Sequence, residues 1–237
     1  MSQPATNPIS ISAALARVAA EKPDAPAVTC EGTTLTWREL HRRTNRMARG
    51  MAQKGVKFGD FVTIALPNSV AFIEACYAAW KLGAVPQPVS SRLPLAELNA
   101  IVELAETPIV VSNVPFACER PVVSSNELLE ASSDDSDLPD AVSPSWKAPT
   151  SGGSTGRPKL IVSGTPGLVD GLSPAFWRIR SDDIVLMPGP MYHNGPFITA
   201  FGGLQIGAQL VLMPKFDAEA TLREAARHRA SCPVSQS

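Results

Sequence analysis

The sequence has no Cys-x-x-Cys pair. Its four cysteines, Cys30, Cys76, Cys118 and Cys232, stand far apart. That spacing excludes a zinc ribbon and a redox dithiol motif. The cysteines read as reduced thiols of a cytoplasmic protein, at least two of them in the core. Histidine is scarce, with three in 237 residues, and no two share a metal-binding spacing. Net charge is −1, so no charge excess calls for nucleic acid or an anionic membrane surface as partner. Met1–Ser10 lacks the basic and apolar regions of a secretory signal. The long uncharged run 184–214 is interrupted by five glycines and four prolines. A membrane-spanning helix is not expected from it. No internal repeat is visible.

What is present suits a globular protein with a substantial core: 44% hydrophobic and 18% charged residues. Ile11 to Ala20 reads as a first helix. Ala27–Cys30 and Thr33–Thr36 flank Glu31-Gly32, which predicts a β-hairpin. Thr36 with Glu39 forms a capping box for the next helix, and Gly55 is its stop. Phe61–Leu66 is a strand, and Ser69 caps a helix whose stripe is Ile73, Cys76, Tyr77 and Trp80. Tyr77 and Trp80 are expected in the core, not against a ligand. Ala84–Val89 is a strand, Leu95–Ala105 a helix and Pro108–Val111 a strand. Such alternation predicts an α/β fold with a parallel sheet and helices on its faces.

Ser132–Ser145, with four aspartates and two prolines, reads as a solvated acidic linker. The expected organisation is therefore an α/β unit at 1–131, the linker at 132–145 and a second α/β unit at 146–237. In the second unit Leu160–Val162 and Asp183–Met187 are strands and Gly195–Gly207 a helix. Ala208–Met213 is a strand, and Asp217 caps a last helix to Arg229. His41 and His228, on Arg-rich helices, are read as solvated.

The stretch Thr150-Ser151-Gly152-Gly153-Ser154-Thr155-Gly156-Arg157-Pro158-Lys159 concentrates glycines, hydroxyls and two cations. Glycine lets the main chain approach a ligand, and successive N–H groups in such turns form an anion nest. Lys159 adds a point charge. A Gly/Ser linker is the bland alternative, but the stretch runs straight into the β-type Leu160-Ile161-Val162. It is not a P-loop, because Gly156 is followed by Arg157-Pro158 and Lys159 by Leu160. The Gly-x-Gly-x-x-Gly dinucleotide pattern is missing too. Proline removes an N–H, so a loop between two strands is expected.

Ser151–Lys159 resembles the Ser/Thr/Gly-rich phosphate loop of the adenylate-forming superfamily, which includes acyl- and aryl-CoA synthetases, luciferases and peptide-synthetase adenylation domains. Leu35-Thr36-Trp37-Arg38-Glu39-Leu40 through Gly83-Ala84-Val85 resembles that family's N-terminal region. Pro190-Met191-Tyr192-His193-Asn194-Gly195 resembles its next motif. The resemblance runs from about Ile11 to Arg229 and implies the layered α/β sheets of the family's N-terminal domain. It further implies ATP, magnesium and coenzyme A as cofactors and a carboxylic acid as substrate. On it, Ser151, Gly152, Gly153, Ser154, Thr155, Gly156 and Lys159 hold the β- and γ-phosphates, and Thr155 is a candidate magnesium contact. Arg157 is either a phosphate contact or an exposed charge. His193 would lie at the acid's carboxylate; its alternative is a helix-start histidine satisfied by backbone.

The sequence departs from that pattern in places. Lys147-Ala148-Pro149 stands where the family runs an apolar strand into the loop, and Pro149 is expected to remove a ladder hydrogen bond. Leu160 replaces a common glycine. A Tyr-Gly-x-Thr-Glu motif, a ribose-binding aspartate and the C-terminal adenylation lysine are not found. Ala230–Ser237 shows no β pattern and reads as a truncated end. The leading reading is the N-terminal portion of an AMP-forming ligase for fatty or steroid/bile acids, inactive by itself. A complementing chain or a second copy would be its protein partner. A non-catalytic fragment or binding module is the alternative, and a P-loop NTPase is disfavoured by Pro158 and Leu160.

Overall fold

The computed structural model describes residues 7–151, 158–169 and 178–233. Strand β1 (Ile9–Ser10) leads into helix α1 (Ile11–Glu21). The Ser10 hydroxyl accepts the Ala13 N–H at 2.9 Å and caps that helix. Strands β2 (Pro26–Cys30) and β3 (Thr33–Thr36) form the expected antiparallel hairpin. Glu31 and Gly32 at its tip have φ of 47° and 80°, the left-handed pair of a turn that matches strand twist. Helix α2 (Trp37–Gln53) starts on the Thr36–Glu39 capping box.

Next come β4 (Phe61–Ile64), α3 (Val70–Lys81), β5 (Val85–Pro88), α4 (Leu95–Ala105) and β6 (Val110–Val111). Strand β7 (Val122–Val123) and helix α5 (Ser125–Glu130) complete this part. The four strands stand in the order β5-β4-β6-β7, and every pairing is parallel. The βαβαβ reading therefore holds. Strand β6 is shorter than read, since Pro108 and Ile109 only lead into it.

The second half contains β8 (Thr150–Ser151), β9 (Lys159–Leu160), β10 (Leu168–Val169) and β11 (Ile184–Met187). Helix α6 (Asn194–Ile206), strand β12 (Gln209–Leu212), helix α7 (Ala218–His228) and strand β13 (Cys232–Pro233) follow. A five-stranded sheet runs β13-β11-β12-β2-β3. Its sheet crosses the boundary expected at 132–145, because β2 pairs in parallel with β12. The two halves thus share a sheet. The tail also differs from its reading: Cys232–Pro233 pairs in parallel with Val185–Leu186.

The acidic stretch 132–145 is irregular in backbone but not a loose linker. The Asn45 carboxamide donates to Asp135 O at 2.9 Å, Arg46 Nε to Ser132 O at 2.9 Å and Arg49 Nη1 to Ser136 O at 2.8 Å. Asp140 accepts from Ser10 and Ser12. Composition pointed to a solvated linker because the partners of 132–137 sit about 90 residues earlier, on one face of α2. Those of Asp140 lie earlier still, at the start of α1.

Aromatic side chains fill the core between α3 and α6. Trp80 meets Phe201 edge-on at 4.8 Å, Tyr77 meets Phe201 at 5.6 Å, and Phe197 lies 5.5 Å from Trp146. Tyr77 and Trp80 are thus core residues, as their spacing indicated, and Cys30 and Cys76 are buried with them.

Helix α2 also passes very close to α5. A Cβ on Gly50 would lie 2.2 Å from the carbonyl oxygen of Leu128. Alanine gains about 1 kcal/mol of helix propensity over glycine, but a clash with main chain must move α5. Overpacking of this kind costs about 1–3 kcal/mol. Gly50→Ala is therefore expected to lower the urea unfolding midpoint. An unchanged or higher midpoint would show that the α2–α5 contact is not so tight.

Candidate functional site

Strands β8 and β9 form an antiparallel stem with Ser151 opposite Lys159 and Thr150 opposite Leu160. The glycine-rich stretch is therefore carried between two strands, as Pro158 indicated. Gly152, Gly153, Ser154, Thr155, Gly156 and Arg157 lie outside the described residues. Pro149 has no N–H to return to Ile161, as its residue type implied, but its carbonyl accepts the Ile161 N–H at 2.8 Å and keeps the stem joined. Lys147 O accepts from Ser163 N at 3.1 Å, and Trp146 N donates to Thr165 O at 3.0 Å. Ala148 N donates to Pro86 O at 3.0 Å, which fastens the stem to the edge strand β5. Of the apolar run after Lys159, only Leu160 is in a strand; Ile161 and Val162 are about half exposed.

His193 precedes the first residue of α6 with φ −85° and ψ 151°, and its side chain makes no capping hydrogen bond. The imidazole is exposed and lies 4.4 Å from the Tyr192 ring. Ser151, Thr150 and His193 line one cavity of about 150 Å³, bounded by Pro88–Ser90 and by α4. The Thr150 hydroxyl is buried there without a hydrogen-bond partner among the described residues. Thus Ser151 and His193, 42 residues apart in sequence by their numbers, share a cavity. Lys159 is exposed at the start of β9.

A second crevice of about 370 Å³ adjoins the first at Ser90 and Tyr192. It opens beyond the carboxyl ends of β4, β5, β11 and β12, where open α/β sheets bind ligands. Asn68 braces it. Its Nδ2 donates to Gly189 O at 2.8 Å and Met213 O at 2.9 Å, and its Oδ1 accepts from Met191 N at 2.8 Å. One carboxamide therefore ties the loop after β4 to the loops after β11 and β12. The sequence reading passed over Asn68. Its only signal is a carboxamide just beyond a buried strand.

Lys147 is 4% exposed. Its ammonium donates to Asn194 Oδ1 and lies 4.5 Å from the Trp146 ring and 5.2 Å from the Phe197 ring. Glu74, also buried, has Arg43 as its counter-ion. No acidic side chain of the described residues is bonded to Lys147. Burial lowers its pKa from the ordinary 10.5 to about 8.

The other histidines differ from their reading. His41 is largely buried, with Nε2 at 2.6 Å from Asp137 Oδ1 and Nδ1 at 3.3 Å from Lys81 Nζ. Burial, then the Lys81 charge, lowers its pKa. His228 is partly covered and sits 3.2 Å from Glu224. Among the described residues, no cluster of three His, Cys, Asp or Glu could hold a metal. No helix among them is long and apolar enough to cross a membrane.

These features define an α/β protein whose candidate site is assembled at strand ends, between a loop-bearing hairpin and the start of α6. The family model of the AMP-binding enzymes matches residues 15–234, and the chain belongs to that family. It is 30% identical over 223 residues to a fatty acid–[acyl-carrier-protein] ligase, ScoC, of Streptomyces coeruleorubidus, covering 84% of this chain and 43% of that protein. It is 32% identical over 226 residues to a feruloyl-CoA synthase of Amycolatopsis sp, covering 90% and 46%. The chain thus spans less than half the length of these curated relatives. The N-terminal domain of FACL13 from Mycobacterium tuberculosis superposes with a TM-score of 0.79 at 23% identity, over 95% of this chain and 62% of that one. The o-succinylbenzoate CoA synthetase MenE of Bacillus subtilis, solved with its acyl-adenylate intermediate, gives 0.81 at 20% identity, over 94% and 61%. The fold is that of the N-terminal domain of adenylate-forming enzymes.

The state of Lys147 has a thermodynamic consequence. Its folded pKa is below its unfolded value, so the unfolded chain binds the proton more tightly. Stability should rise with pH between about 8 and 10.5 on this account. The shift corresponds to roughly 3 kcal/mol against the charged form. Lys147→Met keeps the volume and removes the charge. It is expected to stabilise the fold at pH 7 by about 1–3 kcal/mol, with the gain fading by pH 10.5. Urea midpoints at the two pH values read this directly. A Met variant less stable at pH 7 would mean that the Asn194 hydrogen bond and the ring contacts outweigh the desolvation of the ammonium.

Proposed function

We propose that the chain is the phosphate-holding part of an AMP-forming acid–CoA ligase. In that reaction a carboxylate oxygen attacks the α-phosphorus of ATP. The bond to the β-phosphate oxygen breaks, and pyrophosphate leaves. The acyl-adenylate then gives its acyl group to the thiol of coenzyme A, and AMP departs. Such transfers depend on positioning and on charge stabilisation. The observation that carries this reading is the pairing of Ser151 with Lys159 across the stem. It brings a hydroxyl residue and a cationic residue together at the base of the Ser/Thr/Gly loop, beside a cavity that His193 shares with Ser151.

In this reading Ser151, the glycines and hydroxyls of 152–156 and Lys159 hold the polyphosphate, and Thr155 is the candidate magnesium contact. His193 stands at the mouth of the acid pocket, where a neutral imidazole donates one hydrogen bond to the carboxylate. The acid is a fatty or steroid/bile acid; the relative named for a fatty acid supports the first. The setting is cytoplasmic. Residues 1–237 contain no adenine-stacking Tyr-Gly-x-Thr-Glu motif, so they hold ATP by its phosphate end and need a complementing chain or segment for turnover. One lost transition-state donor costs about a hundredfold or more.

Two measurements check this. Calorimetric titration with pyrophosphate should show binding that Lys159→Ala weakens roughly ten- to hundredfold, the worth of a charged hydrogen bond. Equal affinity in the variant would refute the role of Lys159. Residues 1–237 supplied with ATP, magnesium, CoA and a panel of fatty and steroid acids should yield no acyl-adenylate or acyl-CoA above the Lys159→Ala control. Clear turnover would mean that the phosphate loop and the acid pocket suffice.

A further inference from the structure

Lys147 is an anomaly on physical grounds. An ammonium is buried at the start of α6, where the helix dipole disfavours a positive charge. It faces two aromatic rings and a carboxamide, and burial alone accounts for its lowered pKa, with no charged neighbour contributing. A methionine would fill the same space more favourably. What the ammonium uniquely provides is a bridge. Its own residue lies three positions before Thr150, in the segment that leads into the loop's first strand. Its acceptor, Asn194, is the first residue of α6 and directly follows His193. The two rings fix where the ammonium stands, because a cation over an aromatic face is held near the ring axis. Trp146 belongs to the loop's stem and Phe197 to the first turn of α6. Every contact of the group therefore joins the same two elements.

We propose that Lys147 is a positioning residue that sets His193 against the Thr150–Ser151 strand by holding Asn194. This rests on the reading of His193 and the loop as one site. It predicts that the protonation state of Lys147 is felt at His193, through Asn194 and not through the field of the charge.

The test is a histidine NMR titration of residues 1–237. The three imidazoles are resolved by their Cε1–H signals, with His193 assigned by His193→Gln. His41 is an internal reference, since Lys81 touches its ring at 3.3 Å and itself titrates at about 8. In the wild type the His193 signal should show a step at about pH 8, the value for Lys147. The step should be lost in Lys147→Met and in Asn194→Ala. Lys147→Arg, charged throughout, should keep His193 at its neutral-pH position with no step. A wild-type signal with no step near pH 8 overturns the proposal. So does a step that persists in Asn194→Ala, which would be a field effect, or an Arg variant that displaces His193 as Met does. The wild-type and Asn194→Ala titrations decide the matter even if a Lys147 variant does not fold. Pyrophosphate calorimetry is independent of this result, so failure of the phosphate-site reading and failure of the relay are separately visible.

Discussion

The indole N–H of Trp80 donates to the carbonyl of Trp146 at 2.7 Å. Trp80 is 1% exposed, so this donor has no water to turn to, and a buried unpaired N–H is expensive. Much of the site's geometry depends on this bond. Trp80 belongs to α3 and is fixed by the packing of the parallel sheet. Trp146 stands in the segment that leads into the strand carrying the glycine-rich loop. Phe197, from α6, packs against both rings. Three elements far apart in sequence are locked at one point. The residues just beyond it are Lys147, Ala148 and Thr150 on one side and Asn194 and His193 on the other. The candidate site is thus an outgrowth of the core.

Much of the fold was legible because its signals are local. The Thr36–Glu39 box, the Ser69 and Asp217 caps and the Glu31-Gly32 turn each act within four residues, and each stands where read. Helix α4 matches its reading from end to end. Long-range partners were not legible. Nothing in Asp134 or Asp137 tells of Arg49 or His41, so the strap 132–145 looked like a solvated linker. Nothing in the hairpin β2–β3 tells that β12 lies beside it, so the sheet looked divided. His41 looked solvated because its helix is arginine-rich, yet its own face turns toward Lys81 and the strap.

The site was legible as chemistry but not as assembly. The loop's residue types announce an anion, and Pro158 indicates a stem of strands. That Ser151, Thr150 and His193 border one cavity depends on the start of α6 packing beside the loop's stem, which no local pattern encodes. Asn68 shows the same limit. A carboxamide between Pro67 and Ser69 reads as turn chemistry, since asparagine favours turns. In the fold it satisfies main-chain groups from two other loops, and only the assembled sheets reveal the need for it.

Lys147 joins the two scales. At the level of composition it is a departure, a charge where an apolar strand is expected. At the level of packing its ammonium is desolvated, and among the described residues no acid repays the loss. Active sites are where such compromises with stability collect. The aromatic walls lessen the penalty through cation–π attraction, by about 2 kcal/mol at most when desolvated. The remainder stands as stored cost beside the loop stem. Arg43 and Glu74 make the contrast clear. There a buried charge is matched, and the pair serves to join α2 to α3. At Lys147 the charge is left unmatched between the loop's strand and the first turn of α6, so its free energy is sensitive to what occupies the space between them.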